Sequence, residues 1–148
     1  VPIERIAKLE GITVEFAPLN QELSGFAAIR EGRPIIGVNA LHASNRQRFT
    51  LAHELGHIIL HRSELERAVH VDRGSLRRDG LAAAGVDRKE IEANAFAAEL
   101  LMPQAMVTEA LAGRALDLED DDAVAELTKL AKRFRVSEAA MRFRLELG

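Results

Sequence analysis

The sequence predicts an α+β fold: a small, mostly antiparallel sheet packed against a helical layer that carries a His-Glu-x-x-His zinc site. Three observations lead there. Three short apolar runs of strand length, ITVEF at 12–16, GFAAI at 25–29 and PIIGVN at 34–39, crowd into the first forty residues. Two longer segments, about 45–60 and 87–101, repeat their apolar residues with helical period. The chain has 148 residues, 47% apolar and 29% charged, which suits one globular domain with a core of its own.

The elements follow in order. Residues 3–10 place Ile3, Ile6, Ala7 and Leu9 near one helical stripe that Gly11 ends. The three apolar runs come next, and EGR at 31–33 reads as a tight hairpin turn between the second and third. Ser44 and Gln47 have capping-box spacing and open a helix to about Leu60. Residues 62–86 hold no strong period and contain Gly74, Gly80 and Gly85, which suggests a long, mobile, slightly basic rim. Asp87 is placed to cap a helix through Leu101, with Pro103 at its end, and a short helix covers 104–112. The acidic run Glu119 to Asp122 suits the start of a helix at 123–135. After a turn at Val136 and Ser137 comes a last helix at 138–147. We expect a peptidase-type domain over 1–115 and a helix-turn-helix-like pair over 116–148, packed on the same core.

Several function classes drop out early. No apolar run approaches the ~18 residues that span a bilayer, and the N-terminal VPIERIAKLEG is charged where a secretory signal would be apolar. Absence of cysteine rules out disulfides and thiolate metal sites and fits a cytoplasmic protein. Net charge is −3, so the whole molecule is no general polyanion binder. The six Phe are the only large aromatics, leaving Leu, Ile, Val and Ala to build the core.

Chemistry concentrates at AHELGH, residues 52–57. On a helix, His53 and His57 at i and i+4 share one face and can reach one tetrahedral ion. Glu54 lies about 100° round from His53, beside the ion, where its carboxylate can take a proton from an activated water. Gly56 costs an interior helix about 1 kcal/mol, which makes sense if another backbone passes close by. A catalytic zinc usually has three protein ligands, and helix 87–101 offers Glu90, Glu92 and Glu99. Glu90 shares a face with Asn94, Ala97 and Leu101, which favours it, with Glu92 as rival. Asn94 could support a ligating histidine from behind. His61 lies roughly 12 Å along the axis from His53, too far to share its ion, and reads as structural. With no Tyr in the chain, the donor for a charged intermediate must come from elsewhere, and His70 on the connecting segment is the candidate oxyanion stabiliser. His42 reads as an ordinary loop residue.

RQRFTLAHELGHIILH at 46–61 and EIEANAFAAELLMP at 90–103 resemble the ImmA/IrrE family of metallopeptidases. The GITVEF, SGF, IIGVN and closing VSEAAMRFRLELG segments are similar to its pattern too, so the likeness covers nearly all of the chain. It implies a gluzincin-like centre with one Zn2+ per chain on His53, His57 and Glu90, and Glu54 as general base. The Glu90–Asn94 spacing resembles the family's Glu-x-x-Ala-Asn/Asp block, which favours Glu90 over Glu92. The implied activity is cleavage of a helix-turn-helix repressor, relieving transcriptional repression under stress, with neither nucleic acid nor membrane as a direct partner. The alternative is a DNA- or repressor-binding regulatory module using the C-terminal helix pair, with Arg142 and Arg144 on its second helix. Residues 117–148 hold eight acids and six bases, a balance that disfavours phosphate attraction.

Overall fold

A computed structural model describes residues 2–72, 84–111 and 121–147. The chain divides into two compact units, Pro2–Ala97 and Ala98–Gly148.

The first unit is built on a four-stranded sheet of order β1-β3-β2-β4. Helix α1 (Ile3–Leu9) leads into β1 (Thr13–Ala17) through Gly11, whose φ of +77° suits glycine. Strands β2 (Gly25–Arg30) and β3 (Arg33–Asn39) form the expected hairpin. Its two loop residues, Glu31 and Gly32, have φ of 52° and 78°, the left-handed pair that matches strand twist in a tight turn. The sheet is mixed: β2 pairs antiparallel with β3 and with β4, while β1 joins β3 in parallel. The parallel pair arises because the chain leaves β1, crosses the end of β3 and enters β2. Asn39, fully buried at the end of β3, holds that crossing. Its amide donates to Leu23 O at 2.8 Å and Asn20 O at 3.2 Å, while its Oδ1 accepts from the amides of Leu19 and Leu41.

Helix α2 (Ser44–Leu60) lies on β2 and β3. Gly25 permits the close approach: a Cβ there would strike the Gly37 carbonyl and stand 2.8 Å from Thr50 Cγ2, while one on Gly37 would strike the Phe26 ring within the sheet. Leu51, Ala52 and Leu55 of α2 are buried, as are Ala27, Ile36 and Val38 of the sheet and Ile3 and Ala7 of α1. The capping box expected at Ser44 and Gln47 does not form. Ala43 occupies the cap position without a side-chain bond. Gln47 Nε2 instead donates to the carbonyls of His42 (2.7 Å) and Ala40 (3.2 Å), anchoring the incoming loop. The segment expected to be period-free contains a short helix α3 (Arg62–Leu65) and strand β4 (His70–Asp72). The remainder of the expected mobile rim, 73–83, lies outside the described residues. Helix α4 (Ala84–Leu101) begins before Asp87, so that residue lies in the first turn and is not the cap.

In the second unit, α5 (Gln104–Leu111) follows, then α6 (Asp121–Phe134) and α7 (Glu138–Leu147) pack together. Helix α6 buries Ala123, Leu127, Leu130, Ala131 and Phe134, one stripe at helical spacing. It ends on Arg135 at φ 58°, with Arg135 N bonded to Lys132 O and Val136 N to Ala131 O, the paired bonds of a Schellman stop. Ser137 Oγ then accepts the amide of Ala140, capping α7. No helix among the described residues is long and apolar enough to cross a membrane.

Candidate metal centre

The middle of α2 is buried without interruption from Thr50 to Ile58, so its titratable residues are enclosed on every side. Helix α4 covers one flank. A Cβ on Gly56 would come 3.3 Å from Ala93 Cα and 3.1 Å from Phe96 Cδ1, the close backbone approach expected at this glycine. That proximity brings Glu90 and Asn94 onto the histidines. Strand β4, paired to β2 with Ala27 opposite His70, brings in the fourth group.

The side chains converge. His53 Nε2 stands 3.2 Å from His57 Nε2, 3.0 Å from Glu90 Oε2, and His57 Nε2 is 3.1 Å from Glu90 Oε1. His70 Nε2 is 2.6 Å from Glu90 Oε1, and its ring centroid lies 4.0 Å from that of His57. One ligand atom from each of His53, His57, His70 and Glu90 falls within 4.8 Å of all the others, a group that could hold a metal ion.

The donor set fits such an ion on three counts. Ligand atoms about 3.3 Å apart are what a tetrahedral zinc with bonds of ~2.0–2.1 Å requires, and the separations of 3.0 to 3.2 Å among His53, His57 and Glu90 are close to that. Both histidines have their outer nitrogen engaged: His53 Nδ1 meets Asn94 Oδ1 at 2.8 Å and His57 Nδ1 meets His61 Nδ1 at 3.1 Å. Their Nε2 lone pairs are thereby aimed inward. Finally, Glu54 is fully buried, and while its Oε2 lies 3.1 Å from His70 Nδ1, its Oε1 is without a hydrogen-bond partner. A buried carboxylate oxygen in that condition is costly unless something polar comes to it.

Electrostatics separate the groups. Burial pulls the His57 imidazole below its ordinary value, outweighing the attraction of the Glu90 carboxylate, and so favours the neutral form that a metal-binding imidazole needs. Burial also opposes charge on His70, but Glu54 and Glu90 at its two nitrogens outweigh it and raise the imidazole to about 10. Glu90 is pushed the other way: burial would raise it, yet hydrogen bonds from His53, His57 and His70 hold it well below the carboxylate range.

The other candidates fall elsewhere. Glu92 does not face the Nε2 pair; its Oε1 lies 3.4 Å from His61 Nε2. His42 Nε2 sits by the Asn39 amide and the Gln21 carbonyl, each at 3.2 Å. The partnership of His61 with His57 and Glu92 was missed from the sequence, although the i+4 ladder from His57 to His61 was its one available signal.

No curated protein matches the chain. A family model for peptidase M78, described as the IrrE N-terminal-like domain, matches residues 7–146. That span takes in the α2 motif, the α4 carboxylate and the β4 histidine together, and through it this chain belongs to the ImmA/IrrE family of metallopeptidases.

Proposed function

We propose that the chain is a zinc-dependent endopeptidase that cleaves a helix-turn-helix transcriptional repressor in the cytoplasm as part of a stress response. The observation that carries the catalytic half is the pairing of two inward-facing Nε2 atoms and Glu90 with the buried, unpartnered Oε1 of Glu54. The repressor substrate rests on the family to which the chain belongs.

In this reading His53, His57 and Glu90 hold one zinc, a gluzincin-like set. The ion, when held there, supplies Lewis acidity that acidifies a water and polarises the scissile carbonyl. Glu54 Oε1 accepts the proton of the attacking water and returns it to the leaving amine nitrogen. His70 keeps its Nδ1–H on Glu54 Oε2, and its Nε2–H, which here meets Glu90 Oε1, is the donor available to the oxygen on which negative charge develops. Asn94 steadies His53 through Nδ1.

Strand β3 is interior, flanked by β1 and β2, and leaves no edge for an extended substrate. Among the described residues β4 is the edge strand that bears a site residue, and an extended peptide pairing there would run past His70. The DNA-binding alternative is weakened by Arg144, whose Nε donates to Met102 O at 2.9 Å and whose guanidinium pairs with Glu99. The test is incubation of zinc-loaded protein with the repressor encoded beside its gene. Cleavage by wild type and none by Glu54→Gln is expected; equal cleavage by both, or by neither, contradicts the assignment.

A further inference from the structure

We propose that His61 and Glu92 form a positioning relay behind His57, fixing the imidazole tautomer that presents Nε2 to the metal. The inference rests on His57 being a ligand and adds two residues that lie outside the four-residue cluster.

His57 can offer a lone pair from Nε2 only when its ring proton sits on Nδ1. That Nδ1 lies 3.1 Å from His61 Nδ1, and a contact between two such nitrogens needs one donor and one acceptor. With His57 as donor, His61 Nδ1 accepts and the His61 proton must sit on Nε2. His61 Nε2 is buried without a hydrogen-bond partner, and the Glu92 carboxylate, with Oε1 at 3.4 Å, is the negative charge beside it. That charge favours the His61 proton on Nε2 and so leaves Nδ1 to accept from His57. The reverse assignment puts the His57 proton on Nε2 and closes that nitrogen to a metal.

The surroundings support this polarity. The His61 side chain is 9% exposed and the Glu92 side chain 49%. The ring that touches the ligand is thus sheltered from competing water, while the carboxylate at the far end keeps its hydration. His53 is served in parallel by the Asn94 amide oxygen at 2.8 Å. Each ligating imidazole thus has its own acceptor behind it, an amide for one and a second imidazole for the other. Such outer partners orient a ligand and raise its basicity, and their loss typically weakens metal binding by 10–100-fold.

The test is zinc affinity by competition with a chromophoric chelator, together with the visible absorption of the Co2+-loaded protein. His61→Phe is expected to weaken zinc binding roughly 10–100-fold and to shift the Co2+ bands. His61→Gln, whose amide oxygen can accept the same proton, should recover most of the affinity. Glu92→Ala should weaken binding by a smaller factor in the wild-type background and by nothing further when residue 61 is Phe. Affinity for His61→Phe within about twofold of wild type would overturn the relay, as would equal losses from Glu92→Ala in both backgrounds. If His61→Phe does not fold, the half-exposed Glu92 decides alone, and unchanged affinity in Glu92→Ala overturns the relay. His57→Ala separates the two failures: zinc bound as tightly without His57 removes the metal site itself, whereas loss there with no effect at His61 removes only the relay.

Discussion

In α6 every buried residue between Ala123 and Phe134 is apolar, and Lys129, Lys132 and Arg133 face solvent. Helix α2 buries nine consecutive residues, Thr50 to Ile58, among them two histidines, a glutamate and a glycine. The first helix is accounted for by folding alone: one stripe goes inward, the last turn is stopped by a Schellman pair, and Ser137 caps the next helix. The second breaks each of those rules. An interior glycine and a fully buried carboxylate both cost stability. Departures from local consistency of this kind are expected at functional sites, so the contrast itself points to where the chemistry lies.

The comparison can be broken most sharply at Glu54. Glu54→Gln should keep metal and fold but lower turnover by roughly 10²–10⁴, the usual share of a general base. Retained turnover would reduce Glu54 to a packing residue no different in kind from those of α6. His70→Ala should lower turnover by roughly 10²–10³ with metal content unchanged, as removal of one oxyanion donor does. Loss of metal in that variant would instead make His70 a ligand.

The opposite pattern is expected in α6. Leu127 is buried on its apolar stripe, and Leu127→Ala should cost about 2–4 kcal/mol of stability by leaving a cavity. Zinc affinity per folded molecule should not change. A specific loss of metal binding in this variant would erase the distinction between the two helices.

A smaller effect sharpens the electrostatic side. In metal-free protein the His70 imidazole is raised from 6.5 to about 10 by Glu54 and Glu90. A raised folded-state value contributes stability that is complete below the unfolded value, here 6.5, and is lost as pH climbs toward about 10. The thermal midpoint of metal-free wild type should therefore fall across that window, and His70→Ala should remove most of the slope. The depressed Glu90 acts on the other limb, its contribution present above about 4.5 and lost as pH falls. Identical alkaline slopes in both proteins would show that His70 is not held by the two carboxylates.

What could be read from the sequence divides along the same line. Local patterns carried far: the i, i+4 histidines fixed one face of α2, Glu-Gly gave the β2–β3 turn, and Gly56 foretold the approach of α4. Long-range partners did not show. The parallel pairing of β1 depends on the Asn39 side chain reaching back to Leu19 and Leu23, contacts no short window contains. Strand β4 has three residues, too few for an alternating pattern, and exists because β2 offers an edge. That strand turns His70 from a loop residue into part of the cluster. Gly85 reads as a breaker, which hid the early start of α4, and Gln47 found carbonyls nearer than the backbone amide a capping box would use. His61 looked idle because its carboxylate neighbour, Glu92, belongs to another helix.

The most direct test of α2 as a metal-bearing helix is X-ray absorption at the zinc edge of the zinc-loaded protein, with metal content measured on the same sample. One zinc per chain is expected, in an all nitrogen/oxygen shell at about 2.0–2.1 Å. Scattering should include two imidazoles. Substoichiometric zinc, or a shell without imidazole scattering, would contradict the site built from His53, His57 and Glu90.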